Sequence, residues 1–263
     1  MGNQILTLDN TRMRWLFFVL ALVWVTGCGN SEDSPTDPGG NNSFSHKKAP
    51  GTSAAELLAS NAYSSLLIEV DYVQGYKPEQ EALDNLKTFL QQRLYKPDGI
   101  SITLDDEFPL TNDGFITATE AASLEDAHRD HFTTGDQLVV HLLVLDGRFE
   151  EENVLGIAYW NTSIALFSDL IEENSGGFGQ PAEATVESTV LQHEMGHLLG
   201  LVDNGTPALT DHVDEPNGAH CTNDNCLMYY AVRNAGFISN LSGGSIPEIG
   251  EFCLEDLSNN GGK

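Results

Sequence analysis

Three stretches predict an α/β (α+β) domain built on a mixed, twisted sheet. Residues 65 to 104 read as strand, helix, strand. "DQLVVHLLVLDG" is an apolar run suited to a buried central strand, and a long helical stretch runs from Glu183 to Gly200. Strands alternating with helices place the helices against a sheet.

In chain order, Arg12 and Arg14 precede an apolar run from Trp15 to Val25, which ends in small residues up to Cys28. That run is shorter than the roughly 20 residues of a membrane-spanning helix and matches the apolar region of a secretory signal. A short, uncleaved membrane anchor is the alternative. The four residues "VTGC" resemble the lipobox of bacterial lipoproteins. The resemblance implies that residues 1–27 are a signal peptide and that Cys28 carries the lipid, which places the protein at the bacterial cell envelope. Gly29 is not the aspartate associated with inner-membrane retention, so by the same resemblance the outer membrane is expected.

The chain carries 12 basic against 39 acidic residues, a formal net charge of −27. Such a surface repels nucleic acid and anionic lipid, so no nucleic acid is expected as a partner, and an N-terminal lipid would have to attach the chain to the membrane alone. The acid excess is spread along the chain, as on a solvated surface, and a monomer is expected.

Residues 28–53 are expected to form a flexible tether. Gly29 to Pro50 is rich in Gly, Ser, Asn, Asp and Pro and almost lacks large apolar residues. His46, inside it, reads as inert. Order is expected from Ala54, with residues 54–263 as one domain without repeat or second linker.

"SSLLIEVDYV" reads as the first strand. Ala82, Leu83, Leu86, Phe89, Leu90 and Leu94 fall at helical spacing, and "GISITL" returns to alternation. A second helix is expected within "TATEAASLEDAHRDHF", and one or two strands within "LGIAYWNTSIALFSD". His128 and His131, three apart on a polar helix, read as a solvated face. His141, in an apolar strand, reads as a satisfied core residue.

The helix from Glu183 contains "HEMGH". His193 and His197 are four apart, so a helix sets both imidazoles on one face, where they can hold one metal ion. A zinc ion on neutral imidazoles acidifies water, and Glu194 between them is placed to take the proton as that water attacks a carbonyl. Two surface histidines on a helix would be the bland reading of the pentapeptide alone. In the longer "HEMGHLLGL", however, apolar Leu198, Leu199 and Leu201 bury the helix end and Gly200 can adopt the left-handed conformation that stops it.

That extended pattern resembles the metzincin metallopeptidases, whose motif continues from the glycine to a third ligand. The order of strands and helices between residues 65 and 200 is similar to theirs, with "GIAYWNTSIALF" in the place of the edge strand beside the cleft. The resemblance implies a zinc endopeptidase with one catalytic Zn2+ and a peptide or protein substrate, in which Glu194 is base and acid.

The third ligand has two candidates. In the ordinary metzincin register it is Asp203, which as part of "DNGTP" also reads as a turn residue. "HCTNDNCLM" resembles the archaemetzincin continuation, which implies His220, with Asp203 to Ala219 as an insertion that loop-closure entropy tolerates. We prefer His220 and keep Asp203 as the alternative. His212, flanked by Asp211 and Asp214, reads as a solvated loop histidine; a ligand role, or a separate metal site in the loop, is its alternative. The resemblance also implies that Met228 is the methionine of the Met-turn, and it sets Tyr230 where the astacin branch has a transition-state tyrosine.

Cys221 and Cys226, in an exported protein, are expected to form a small disulfide. Archaemetzincins resemble a two-zinc design that uses a downstream CxxC. This chain has only Cys253 there, so no complete cysteine-built second site is expected, and Cys253 reads as a buried thiol in a closing helix. The competing function is a non-catalytic, zinc-containing surface binding protein. Glu194 argues against it, since a structural zinc needs no adjacent base.

Overall fold

The computed structural model describes residues 44–111, 114–238, 241 and 244–263. The expected signal peptide, Cys28 and most of the expected tether lie outside these residues.

After a short helix α1 (Ala54–Leu58) come strand β1 (Ser65–Val73), helix α2 (Gln80–Arg93) and strand β2 (Gly99–Phe108). A two-residue strand β3 (Phe115–Ile116) leads into helix α3 (Ala118–His128), followed by strands β4 (Gln137–Leu145), β5 (Arg148–Phe149), β6 (Gly156–Trp160) and β7 (Ser163–Phe167). Helices α4 (Ser168–Glu173), α5 (Glu183–Leu198), α6 (Ala235–Ile238) and α7 (Glu251–Asn259) complete the described elements, with 3-10 turns at Glu215–Asn217 and Tyr230–Arg233. The fold class is α/β, as expected. "LGIAYWNTSIALFSD" resolves into two strands and the start of α4.

Five strands form one mixed sheet in the order β2-β1-β4-β7-β6. The first three contacts are parallel, and β6 runs antiparallel to β7 at the edge, with Ile157 opposite Ala165. Strand alternation sends Leu142, Val144, Ile164 and Leu166 to the face covered by α2 and α5, and Leu143, Leu145, Ala165 and Phe167 to the other. All six apolar positions read in the α2 region are buried.

The second face also takes Glu69, Asp71 and His141, all fully buried. His141 Nε2 lies 2.7 Å from Asp71 Oδ2, and Asp71 Oδ1 accepts the Asp106 amide at 2.9 Å. Arg129, at the end of α3, pairs with Glu125 at 2.6 Å within the same layer. Helix α3 opens with a capping box in which Thr117 and Glu120 satisfy each other's backbone amides. His131 is exposed beside Asp105, whereas His128 is half-buried and stacks on Phe108, its ring centre 4.1 Å away.

The expected tether ends earlier than position 53, because residues 44 to 53 are packed on the domain. Phe44 is buried edge-on against Tyr63, and His46 sits buried beside Phe132. Asn161, wholly buried in the β6–β7 turn, donates through Nδ2 to Ser45 O and Ser53 Oγ, both at 2.9 Å. Its Oδ1 accepts the Lys48 amide at 2.9 Å, and its own amide reaches Lys48 O. Gly51 adopts φ 79°, and a Cβ there would lie 1.5 Å from the Asn204 carbonyl oxygen. Composition counts apolar side chains, and this segment is held chiefly by backbone contacts.

Candidate functional site

Helix α5 is buried on every side from Val186 to Leu198. Its polar residues before the histidines find partners inside: Ser188 and Thr189 donate to the carbonyls of Ala184 and Thr185 one turn back, and Glu187 accepts the Glu79 amide at 2.8 Å. The helix packs on β6, β7 and α2, so its C-terminal turn is presented beside the edge strand. Gly200 stops it at φ 78°, where a Cβ would press on Ala54 and Thr206 at 2.8 Å, and Leu201 N donates back to Gly196 O.

His193 and His197 leave this turn on one face with their Nε2 atoms 3.2 Å apart. The third member is His220. The ligand nitrogens of the three lie within 4.8 Å of one another, and the ring centres are 4.9, 5.3 and 5.0 Å apart. His220 is delivered by the inserted segment, which folds back on itself as Asp214 N donates to His220 O and Thr222 N to His212 O. Asp203 is exposed at φ 59° next to Val202, also at φ 59°, and belongs to none of the clusters of metal-ligating side chains among the described residues.

Backbone carbonyls fix the ring orientations. His193 Nδ1–H donates to Leu227 O at 2.7 Å and His220 Nδ1–H to Asn217 O at 2.7 Å, so each Nε2 faces inward as a lone-pair donor. His220 Nε2 is buried without a partner, and so is Glu194 Oε1. Burial, and then neighbouring imidazoles, hold the His193 pKa down to about 3 and that of His197 well below its ordinary value. Burial likewise lowers that of His220. All three are neutral at neutral pH, the form that binds a metal. Burial raises the Glu194 pKa to about 7, opposed by the Arg233 charge and the Ala158 amide.

These donors fit a zinc ion. Two nitrogens at ~2.0–2.1 Å from zinc in tetrahedral array stand ~3.3 Å apart, close to the His193–His197 spacing. Three neutral imidazoles leave a fourth position free, in a cavity of about 430 Å³ lined by Glu194, His197, His220, Arg233, Tyr159 and Phe149.

Met228 is wholly buried under the helix, where a Cβ at Gly196 would come within 2.3 Å of its Sδ. The turn that carries it also supplies the Leu227 carbonyl to His193. Tyr230 starts the following 3-10 turn, packs on Tyr229 with ring centres 4.7 Å apart, and is not in the cavity wall.

The cysteines depart from expectation. Cys221, Cys226 and Cys253 are free and buried, so the Cys221–Cys226 disulfide is not formed. Instead they gather around His212, which is buried and not solvated: its Nδ1 lies 3.4 Å from Cys221 Sγ and 3.9 Å from Cys253 Sγ, with Cys226 Sγ 3.7 Å from the latter. Asp256 accepts His212 Nε2–H at 2.8 Å and holds the ring. Burial pulls the His212 pKa down, but the Asp256 carboxylate and Cys221 outweigh it and the net shift is upward. Hydrogen bonds from the Cys221 and Cys253 thiols hold the Cys226 thiol down to about 3, and the Gly250 amide at 3.1 Å and the Met228 amide at 3.4 Å add to this. His212, Cys221 and Cys253 bring their ligand atoms within 4.8 Å of one another, a set of donors suited to a zinc ion, with Cys226 packed beside Cys253. Reading the cysteines alone missed it, because one donor is a histidine nine residues upstream of Cys221.

No family model matches the chain, and no curated protein matches it. Among solved structures, archaemetzincin from Methanopyrus kandleri is similar, with 15% sequence identity and a TM-score of 0.48 over 76% of this chain and 96% of that chain. At those values the chemistry has to be argued from this chain's own residues.

Proposed function

We propose that the protein is a zinc-dependent endopeptidase, anchored by lipid on Cys28 at the bacterial cell envelope. The observation that carries the reading is one cavity in which three neutral imidazoles converge beside a buried, unpartnered carboxylate oxygen of Glu194. His193, His197 and His220 would hold the catalytic ion. When bound, zinc supplies Lewis acidity, polarising a carbonyl and acidifying water.

Glu194 takes a proton from the attacking water and returns it to the departing amine. Leu227 O and Asn217 O keep the His193 and His220 rings in the ligand tautomer, and Met228 supports the helix turn from below. Among the described residues the edge strand β6 pairs only with β7, and its other side is available to an extended peptide backbone. His212, Cys221 and Cys253, buried away from the cleft, would hold a second ion. The lipid anchor is supported by the order of charge, apolar run and "VTGC" at residues 12–28.

The test is zinc content and peptide hydrolysis after identical dialysis for wild type, Glu194→Gln, His220→Ala and Asp203→Ala. We expect Glu194→Gln to keep zinc and lose hydrolysis, His220→Ala to lose the catalytic ion, and Asp203→Ala to keep both. A wild-type protein that loads zinc but hydrolyses no peptide would sink the peptidase reading. Loss of zinc in Asp203→Ala alone would move the third ligand to Asp203.

A further inference from the structure

Arg233 ends the 3-10 turn that follows Met228, and its backbone is pinned from both sides. Its carbonyl accepts the Leu155 amide at 3.0 Å, and Asn234 bridges Val154 just before β6. The residue is therefore fixed between the edge-strand side and the Met228 side of the cleft. Its half-buried side chain lines the cavity with Glu194, His197 and His220, and its charge is felt at all three and at His193.

Several other cations in the described residues are partnered: Arg129 by Glu125, Arg148 by Glu173, Lys47 by Asp126, and Lys96 by the carbonyls of Glu56, Ala59 and Tyr63. Arg233 has no hydrogen bond or ion pair from its guanidinium among the described residues, in a chain with 39 acidic side chains available. A guanidinium in the wall of a cavity that also gathers cation ligands is electrostatically unfavourable unless an anion joins it. Its five donors form a planar fork that matches a carboxylate with two parallel hydrogen bonds.

Resting on the peptidase reading for its ligand class, we propose that Arg233 is a specificity-determining residue that receives a substrate carboxylate beside the scissile bond. The carboxylate comes from an Asp or Glu side chain or from a free C-terminus; both present the same planar anion. No bond to Arg233 forms or breaks, and the role is binding and orientation.

The test separates recognition from hydrolysis. Binding of matched peptide pairs, Asp against Asn and Glu against Gln at each position around the cleavage site, is measured on the full-length, zinc-loaded Glu194→Gln protein. Each pair is made with amidated and with free C-termini. The acidic member is expected to bind about tenfold tighter or more, the scale of one charge-assisted bidentate contact. Adding Arg233→Gln should bring the pair to equality, and Arg233→Lys should retain part of the preference. Preference among amidated peptides assigns the side chain as the source, and preference only with free termini assigns the C-terminus. Equal binding of acidic and amide peptides in the presence of Arg233, or a preference untouched by Arg233→Gln, overturns the proposal. The same peptides are then given to wild type. Absence of hydrolysis there counts against the peptidase reading, while the binding comparison still decides the role of Arg233.

Discussion

Gly196 is the residue of "HEMGH" that touches Met228, and the contact can be measured as a coupling energy. A methyl group at position 196 would lie 2.3 Å from Met228 Sδ and 3.0 Å from its Cε. Heavy-atom pairs of this kind rest at ~3.5–4.0 Å, so the thioether must retreat by more than ~1 Å into a core that leaves it no exposed surface. Overpacking of this sort costs about 1–3 kcal/mol. Alanine in place of glycine inside a helix returns about 1 kcal/mol. Gly196→Ala alone should therefore be between neutral and about 2 kcal/mol destabilising. Met228→Ala alone should cost about 2–5 kcal/mol through the cavity it leaves. Together the clash disappears and the helix gain is realised, so the double variant should be about 1–3 kcal/mol more stable than the sum of the singles. Urea unfolding of the four proteins at one buffered free-zinc concentration gives the cycle. Additivity within about 0.5 kcal/mol would refute the claim that Met228 braces the helix at Gly196.

Other expectations concern charge, metal and chain length. Glu187 is buried without a counter-ion among the described residues, and burial raises its pKa to about 8. The folded state thus holds a proton that the unfolded state releases near pH 4.5; this stability is full below that pH and is lost as pH rises through about 8. Glu187→Gln keeps the acceptor for the Glu79 amide and removes the titration, so relative to wild type it should gain on the order of 2–4 kcal/mol between pH 5 and pH 8 in urea melts. A gain that does not change with pH would refute the assignment. Zinc counted by mass spectrometry should be two ions per wild-type chain and one in Cys253→Ser, whereas a wild-type count of one would empty the His212 cluster. A chain beginning at Ala54 should be about 3 kcal/mol or more less stable than one beginning at Phe44, from one buried aromatic ring and the Asn161 hydrogen bonds. Identical melting would show that residues 44 to 53 merely rest on the surface.

What could be read from the sequence was local. The i, i+4 spacing of His193 and His197, the stop at Gly200 and the core face of α2 are set within a turn or two of helix. The position of His220 rested on a resemblance, and the loop that delivers it is closed by pairing between residues 212–214 and 220–222. A separate metal site at His212 was legible only as an alternative, because the members of the cluster come from three places in the chain and its orienting partner, Asp256, lies 44 residues away. Residues 44 to 53 were misread because glycines at positions 51 and 205 let two backbones touch, a contact with no apolar signature. Arg233 carried no motif; its pinned backbone and its place in the cavity wall single it out.

His220 and Cys221 are consecutive, so a single peptide bond joins the two ligand sets. The thiol cluster is tied to the cleft at two points, through the peptide bond to His220 and through Cys226, whose neighbour Leu227 holds the His193 ring. Oxidation or chelation at the sulfurs is therefore expected to weaken metal retention at the cleft. For anyone handling the protein, reducing agent and metal supply during purification bear on the cleft as directly as the residues that line it.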